Sequence, residues 1–446
     1  MKALPARPGA QRRPMPMPAP PFVHPDDAAE GADVLLEHPG ALGVPLWGAL
    51  RDFMLWVQTP PAGRGGLFGP GAGAARLAAL EGVRGEPELW APLLTLAQMA
   101  DDPAHADQAR LVHAVRSLAR WAGRRGAPAT RLAFTQAAAL ALPGQPAAAL
   151  EAARQARDLA RHAQAETWFR LAIRQARGHD WESYAWGFIG LGVLYMRAGN
   201  YPAARAVVCR ALRTGRKRRL RGVMGSAHHH LFVFESDAGR TGEAYQHARA
   251  AVQAYGERHP RLPALAHDLG CFWSEQGCFS RALPVFQAAV PLLADPSDRV
   301  LATANVARAA AGAGDRELYE RARAEVMAVL GDPAHAALAS EALVVIALSD
   351  SSLGEWARAE AAAVRAVELA GERGEGRNRM VAEAQLDAIR NRRVAEAQLD
   401  AIRATRALRG VRVHESDALA REAEALALDL RAQLTRRARQ GAAAAG

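Results

Sequence analysis

Cysteine is nearly missing from this chain: there are three in 446 residues, at positions 209, 271 and 278. Cys271 and Cys278 are seven residues apart, which is ~10 Å along a helix and too far to bridge within one. Cys209 falls on a separate predicted helix. A disulfide framework is thereby excluded, and a reduced, cytoplasmic chain is expected. Aromatic residues make up only 6%, so alanine and leucine must fill most of any core. The lack of long β-branched runs argues against a sheet. No apolar run approaches the ~20 residues that cross a bilayer, so no membrane span is expected. Also missing are HExxH, Gly-x-Ser-x-Gly, CxxC and a phosphate loop. The scattered histidines and carboxylates share no spacing that would join them into a constellation. The reading is of a non-enzyme with no catalytic residues, no cofactor and no metal.

Lysine is rarer still than cysteine: Lys2 and Lys217 are the only two, leaving arginine as 54 of the 56 basic residues. The net charge is +10, but its distribution weakens a nucleic-acid reading. Residues 1–25 carry four basic and no acidic residues, and 371–446 carry fifteen arginines against eleven carboxylates. That leaves 37 basic against 35 acidic residues for 26–370. So neutral a body argues against a nucleic-acid partner, which requires a basic patch on one face. The opening 1–25 is proline-broken and has no hydrophobic region, so a disordered tail with polyproline II character is expected rather than a secretory signal. In 26–74, "VPLWGALRDFMLWVQ" sets Leu46, Leu50, Phe53 and Val57 on one helical stripe, widened by Trp47, Met54 and Trp56. This helix is expected to pack on the rest as a terminal cap, with a membrane surface or partner as the alternative. "TPPAGRGGLFGPGAGAA" reads as a flexible linker.

From 75 onward the sequence reads as helix after helix, and self-comparison gives the organisation. "FIGLGVLYMRAGNYPAARAVVCRALR" places Leu191-Gly192, Tyr195, Gly199, Tyr201, Ala204 and Ala211 at spacings that return at Leu269-Gly270, Trp273, Gly277, Phe279, Ala282 and Ala289, with Phe286 added. Between them come Leu231, Gly239, Ala244 and Ala251; later come Ile346, Gly354, Trp356, Ala359 and Ala366. Ala165, Phe169 and Ala172 supply an upstream second-helix half, and 300–330 fills its slot loosely. Gly192 and Gly270 are expected where paired helices cross closely, facing small residues. Gly199, Gly239, Gly277 and Gly354 are expected to end first helices in a left-handed conformation.

This pattern resembles the tetratricopeptide repeat. The resemblance covers 145–370 in about six units and reaches back degenerately through 75–144. The period departs from the family's usual one, running at 38–40 residues. It implies an all-α, right-handed α-solenoid of stacked antiparallel helix pairs with about six or more repeats. It further implies a non-catalytic scaffold that binds a protein or peptide partner on the concave face of the first helices. The alternative is a peptide-responsive bacterial signalling or transcription regulator. Projected onto the matched units, the inner face holds Trp186, Ile189, Val193, Met196 and Arg197, then His229, Val233 and Asp237, then His267, Cys271 and Glu275. Arg154 and Arg157 come from the earlier unit and Arg308 from the loose one. His229, His267 and Arg197 are the expected polar contacts. The lysines and asparagines with which the family clamps a C-terminal carboxylate are not at the matching positions, where Ile189, Val193, His229 and Cys271 stand.

Four further features remain. The run His228-His229-His230 points about 100° apart per residue on a helix and does not converge on a metal, so a helix surface with one partly buried imidazole is expected. "RTGRKRRLRG" reads as a solvated helix end, with an acidic-partner or phosphate contact as the alternative, and Trp181, Tyr184 and Trp186 as packing between units, with an interface hot spot as the alternative. In 371–446, "VAEAQLDAIR" occurs at 381–390 and again at 394–403, a shift that reverses helical phase, and a helical tail closes the chain. Oligomeric state is not legible.

Overall fold

Asp107, Asp180, Asn200, Asp295 and Asp315 each accept a backbone N–H in the first turn of the helix that follows. Such caps satisfy donors that a helix start leaves orphaned. In the computed structural model, residues 28–331 and 338–390 are described, with Leu426 and Leu430 beyond them. Among these residues all regular structure is helical. The amino-terminal helices are α1 (Ala28–Glu37), α2 (Gly43–Gln58), α3 (Ala72–Ala79), α4 (Pro87–Met99), α5 (Gln108–Arg124) and α6 (Pro128–Leu140). Six consecutive pairs follow: α7 (Pro146–Asp158) with α8 (His162–Ala176), α9 (Trp181–Arg197) with α10 (Tyr201–Arg218), and α11 (Arg221–Asp237) with α12 (Thr241–Tyr255). Then come α13 (Leu262–Glu275) with α14 (Phe279–Ala289), α15 (Pro296–Ala313) with α16 (Arg316–Val329), and α17 (Ala339–Ser352) with α18 (Trp356–Glu372). Helix α19 (Gly376–Arg390) packs on α18, α17 and α9.

Each pair touches its neighbours, so the described chain is an all-α solenoid. Buried apolar side chains form three successive clusters, from Val34 to Ala141, Leu132 to Phe234 and Phe232 to Leu430, each overlapping the next. The turn between paired helices is nearly constant. Gly199, Gly239, Gly277, Gly314 and Gly354 all have φ between 71° and 82°. The residue after each donates its N–H to the carbonyl five back (Asn200 to Tyr195, Arg240 to Glu235, Cys278 to Trp273, Asp315 to Ala310, Glu355 to Asp350) at 2.8–2.9 Å. Gly314 shows that the loose 300–330 segment is a full unit. Where α7 ends, Ala160 takes the same left-handed conformation at φ 58°, and Arg219 does so after α10. A side chain costs about 1 kcal/mol there. Ala160→Gly and Arg219→Gly should therefore each raise stability by about 1 kcal/mol, measured as the shift in thermal or denaturant midpoint.

Close crossing accounts for the mid-helix glycines. A Cβ on Gly192 would lie 2.3 Å from Val208 Cγ2, and one on Gly270 would lie 2.6 Å from the Phe286 ring. Ala204, Ala211, Ala282 and Ala289 are fully buried opposite.

The amino-terminal segment differs from expectation in one respect. Helix α2 packs on α1, α4 and α6, as a cap should, burying Leu46, Leu50, Phe53 and Trp56. The stretch read as a flexible linker instead holds a 3-10 helix, Pro61–Gly66, and the start of α3. Its Arg64 stacks on Trp56 with the guanidinium carbon 3.6 Å from the ring centroid, and Gly73 N–H donates to Asp101. The first copy of the duplicated decapeptide lies in α19, burying Ala382, Leu386 and Ile389. The tail 1–25 and the second copy at 394–403 lie outside the described residues. So does the closing helical tail, except that Leu426 and Leu430 pack on the last core cluster.

Candidate functional site in the solenoid interior

The two ends of the repeat array meet. His162, at the start of α8, has Nε2 3.0 Å from the carbonyl of Arg373, 211 residues away. Arg373 Nη2 donates to the Asp158 carbonyl at 2.8 Å and its Nε pairs with Glu375. Helix α19 also lies against α9. With the connection from α18 to α19 seated on the end of α7, the array closes on itself. A cavity of about 590 Å³ joins Arg131, Glu151 and Arg154 on one side to Asp295 and Ser297, at the start of α15, on the other.

Cations crowd this interior. Burial, together with Arg157 and Arg261, holds the Arg154 guanidinium below its ordinary range. Burial and Arg157 do the same to Arg197. Burial, Arg261 and His229 drive His230 well below the ordinary histidine range, so it stays neutral. Carboxylates are present but mostly engaged. Asp158 pairs with Arg157 at 2.9 Å, and Glu375 binds Arg373 and Ser340. Burial and Asp295 push the Asp298 carboxyl upward. The Nη1 of Arg197 is buried without a hydrogen-bond partner.

Beside the cations runs a hydrogen-bonded chain linking three units. His229 Nε2 meets Asp268 Oδ2 at 2.7 Å, and His267 Nδ1 meets Asp268 Oδ1 at 3.0 Å. Asn305 Nδ2 reaches both the Leu301 carbonyl and His267 Nε2 at 3.1 Å. Cys271 Sγ lies 3.6 Å from the same Nε2, and Tyr255 Oη lies 3.5 Å from His229 Nδ1. Burial raises the Asp268 pKa, but the two histidine hydrogen bonds outweigh it and hold the carboxyl well below the carboxylate range. Burial pushes the Cys271 thiol up against the pull of His267, which leaves it protonated and a poor nucleophile. His267, Asp268 and Cys271 also present one ligand atom each within 4.8 Å of one another. These groups are already joined by the hydrogen bonds just described, so the cluster reads as a fixed polar core.

The residues expected on the inner face divide accordingly. Arg154 is exposed at the rim of the cavity; Arg157, Trp186, Val193, Met196, Arg197, Val233, Cys271 and Arg308 are half-buried. Asp237 and Glu275 are exposed at helix ends, Asp237 accepting a hydrogen bond from the Tyr201 hydroxyl. Ile189 is corrected: it lies in the middle core cluster, 3% exposed, so it is packed among helices and not open to a ligand. His229 and His267 are buried, and their hydrogen bonds point into the protein's own network. Residues the projection missed are Arg261, His230, Asp268 and Asn305.

The other features also resolve. Two histidines of the triple run are buried rather than one partly so, with His228 Nδ1 2.9 Å from His247 Nδ1. Arg218 stacks on Trp181 at 4.3 Å, and Arg210 on Phe188 at 4.6 Å. The arginines and the lysine of the basic run are all exposed, as at a solvated helix end, with Arg218 laid on Trp181, while Tyr184 packs against Trp181 and Phe188. His228 is pushed down to about 4 by burial, with His247 and Arg216 adding, against 6.5 for a free histidine. Unfolding lets it take up a proton, so the unfolded state binds more protons between these two values. Stability should be full above about pH 6.5 and fall as pH drops toward 4, by about 3 kcal/mol from this residue. The thermal midpoint between pH 7.5 and 4, compared with that of His228→Asn, checks this: the variant's profile should be flatter.

No family model and no curated protein sequence matches the chain. Among solved structures, the crystal structure of aspartyl phosphate phosphatase F from Bacillus subtilis is similar at 11% identity, with a TM-score of 0.50. The match covers 66% of this chain and 80% of that one. The likeness is one of fold, an α-solenoid of tetratricopeptide-like helix pairs.

Proposed function

We propose that the chain is a non-catalytic helical-repeat scaffold that holds a protein segment or extended peptide inside the solenoid. The observation that carries this reading is the meeting of the two ends of the array beside a cavity of about 590 Å³, together with half-buried Val193, Met196 and Val233 on first helices and the buried Arg197 Nη1 that lacks a partner. Half-buried apolar groups next to unsatisfied polar ones suit a bound chain that covers the first and pairs with the second. The protonated Cys271 thiol and the mutually satisfied histidines favour binding over chemistry. The turn geometry fits the tetratricopeptide repeat family, although the period of 38–40 residues is longer than that family's usual one.

A second reading, a peptide-responsive regulator, is favoured by the contact between the ends of the array. Because His162, Arg373 and Asp158 hold it shut, an occupant that binds open and shut forms unequally would shift the balance between them. The experiment uses the full chain as bait. Partner capture should be lost in Val193→Glu/Val233→Glu and kept in Arg213→Glu, on an exposed second-helix surface. Equal loss in both would move the binding surface off the interior. A change in radius of gyration on binding, by small-angle scattering, would select the regulator over the scaffold.

A further inference from the structure

Helix α5 turns a face to solvent that carries arginines and no carboxylate. Arg110, Arg116, Arg120 and Arg124 are exposed on it, and the helix contains no Asp or Glu. Arg116, Arg120 and Arg124 recur every fourth residue, so they share one face in steps of about 6 Å. Two clefts run along that face. One, of about 690 Å³, lies between α4 and α5; the other, of about 670 Å³, lies between α5, α6 and α7. His113, Arg120 and Arg124 line both, so the clefts form one continuous groove. Arg131 of α6 lies across the end of α5, its Cδ 3.1 Å from where a Gly123 Cβ would stand. Two carboxylates line the groove, Glu88 and Glu151, and Arg124 takes Glu88 at 2.7 Å. Arg120 reaches only uncharged groups, Ser117 Oγ at 2.9 Å and the Arg116 carbonyl at 3.4 Å. Among the described residues Arg110, Arg116, Arg120 and Arg131 form no salt bridge, which leaves four cations against Glu151.

The wall of the groove points to a ligand independently of that charge. Thr135 and Gln155 line it while only 5% and 8% exposed, and Thr135 Oγ1 and Gln155 Oε1 are buried without a hydrogen-bond partner. Such orphaned atoms cost stability until a bound group satisfies them. Gln155 Nε2 lies 3.5 Å from Glu151 Oε1, so the amide nitrogen faces the carboxylate and Oε1 is left as an acceptor without a donor.

We propose that this groove binds an extended acidic segment of a partner protein, with its carboxylates on the α5 arginines and its backbone peptide groups on Thr135 and Gln155. The groove belongs to the amino-terminal units and needs no occupant in the interior. Alternate side chains of an extended chain repeat every ~6.6 Å, close to the arginine steps, and guanidinium forks pair with carboxylates bidentately. From Arg110 to Arg124 the helix rises about 21 Å, the length of about six extended residues. An acidic helix would match the arginine spacing too, but its N–H groups are used within the helix and would leave Gln155 unsatisfied. A phosphodiester strand brings charge without a phosphate donor for Gln155. Nor is any described residue lining the clefts a Phe, Tyr or Trp on which bases could stack.

The test uses the full chain and two fluorescein-labelled octapeptides, one of Glu-Thr repeats and one of Gln-Thr repeats, with binding read by anisotropy. The Glu-Thr peptide should bind at least about tenfold more tightly, and the gap should narrow as salt rises. Arg116→Gln/Arg120→Gln should lower the Glu-Thr affinity at least about tenfold and leave the Gln-Thr affinity unchanged, whereas Arg213→Gln should change neither. All three positions are exposed, so circular dichroism should show an unaltered fold. Thr135→Val should weaken both peptides several-fold and keep the preference for Glu. Its thermal midpoint should be unchanged or higher, because it removes an unsatisfied buried hydroxyl. Equal binding of the two peptides, binding of neither, or a loss in the double variant no larger than in Arg213→Gln would overturn the proposal. Unchanged affinity in Thr135→Val would do the same. A uridine octanucleotide that binds more tightly than the Glu-Thr peptide and displaces it would reassign the groove to nucleic acid, which also overturns the proposal.

Discussion

Gly270→Leu should cost about 3 kcal/mol of stability, and Phe286→Ala about 3–5 kcal/mol, yet the two together should cost less than their sum. The Phe286 ring is fully buried and occupies the place where a Gly270 side chain would begin. Leucine there must push the ring off its rotamer or spread α13 from α14. Alanine at 286 leaves a cavity where the ring was, and leucine at 270 partly fills it. Gly190 against Phe169, and Gly225 against Tyr255, have the same form, with Cβ-to-ring approaches of 2.1 and 2.3 Å. The coupling is checked by denaturant unfolding of both single variants and the double. In a nearest-neighbour array the damage should also be local. Hydrogen exchange should speed up in α13, α14 and the helices beside them, and little in α5 or α6.

Asp350→Ala should be comparably damaging, at about 3 kcal/mol or more. The carboxylate is fully buried, accepts from the Tyr319 hydroxyl, and pairs with Arg323 at 2.9 Å. Removing it strands a buried phenol and a guanidinium whose side chain is 17% exposed. Tyr319→Phe should cost much less, because Arg323 still pairs with the carboxylate. If Asp350→Ala and Tyr319→Phe proved equally mild in denaturant titration, the buried pair would not be holding α16 to α17.

These positions also explain what was legible in the sequence. The residue four before each turn glycine is Tyr195, Glu235, Trp273, Ala310 or Asp350. Three of them reach back to the preceding second helix: Tyr195 to Glu166 and Arg170, Glu235 to Arg205, and Asp350 to Tyr319 and Arg323. One structural job is thus done by an aromatic in some units and by a carboxylate in others. A comparison of residue types finds only the aromatic units clearly, which is why 300–330 matched loosely although its turn has the common geometry. Glycine and alanine spacings were readable because close helix crossing admits few alternatives.

The candidate site was less legible for two physical reasons. Helical projection assigns a face but not what packs on it, so it puts Ile189 on the inner face although the core buries it, and offers His229 and His267 to a ligand although Asp268 takes both. The interior charge depends on superhelical closure, which brings Arg154 near Arg261 and Asp158 near Arg373. No local pattern encodes a contact between residues more than two hundred positions apart.

Closure of the array is therefore the claim on which the interior site depends, and a cross-link tests it most directly. Gly376 lies against Ala198, with its Cβ position 3.6 Å from the Ala198 carbonyl oxygen. With Cys209, Cys271 and Cys278 replaced by alanine, Ala198→Cys/Gly376→Cys should oxidise to an intramolecular disulfide in the unliganded chain, visible as a faster band on non-reducing gels. A chain that stays reduced, or links only between molecules, while remaining folded by circular dichroism, would mean that the ends stand apart and the interior is an open groove.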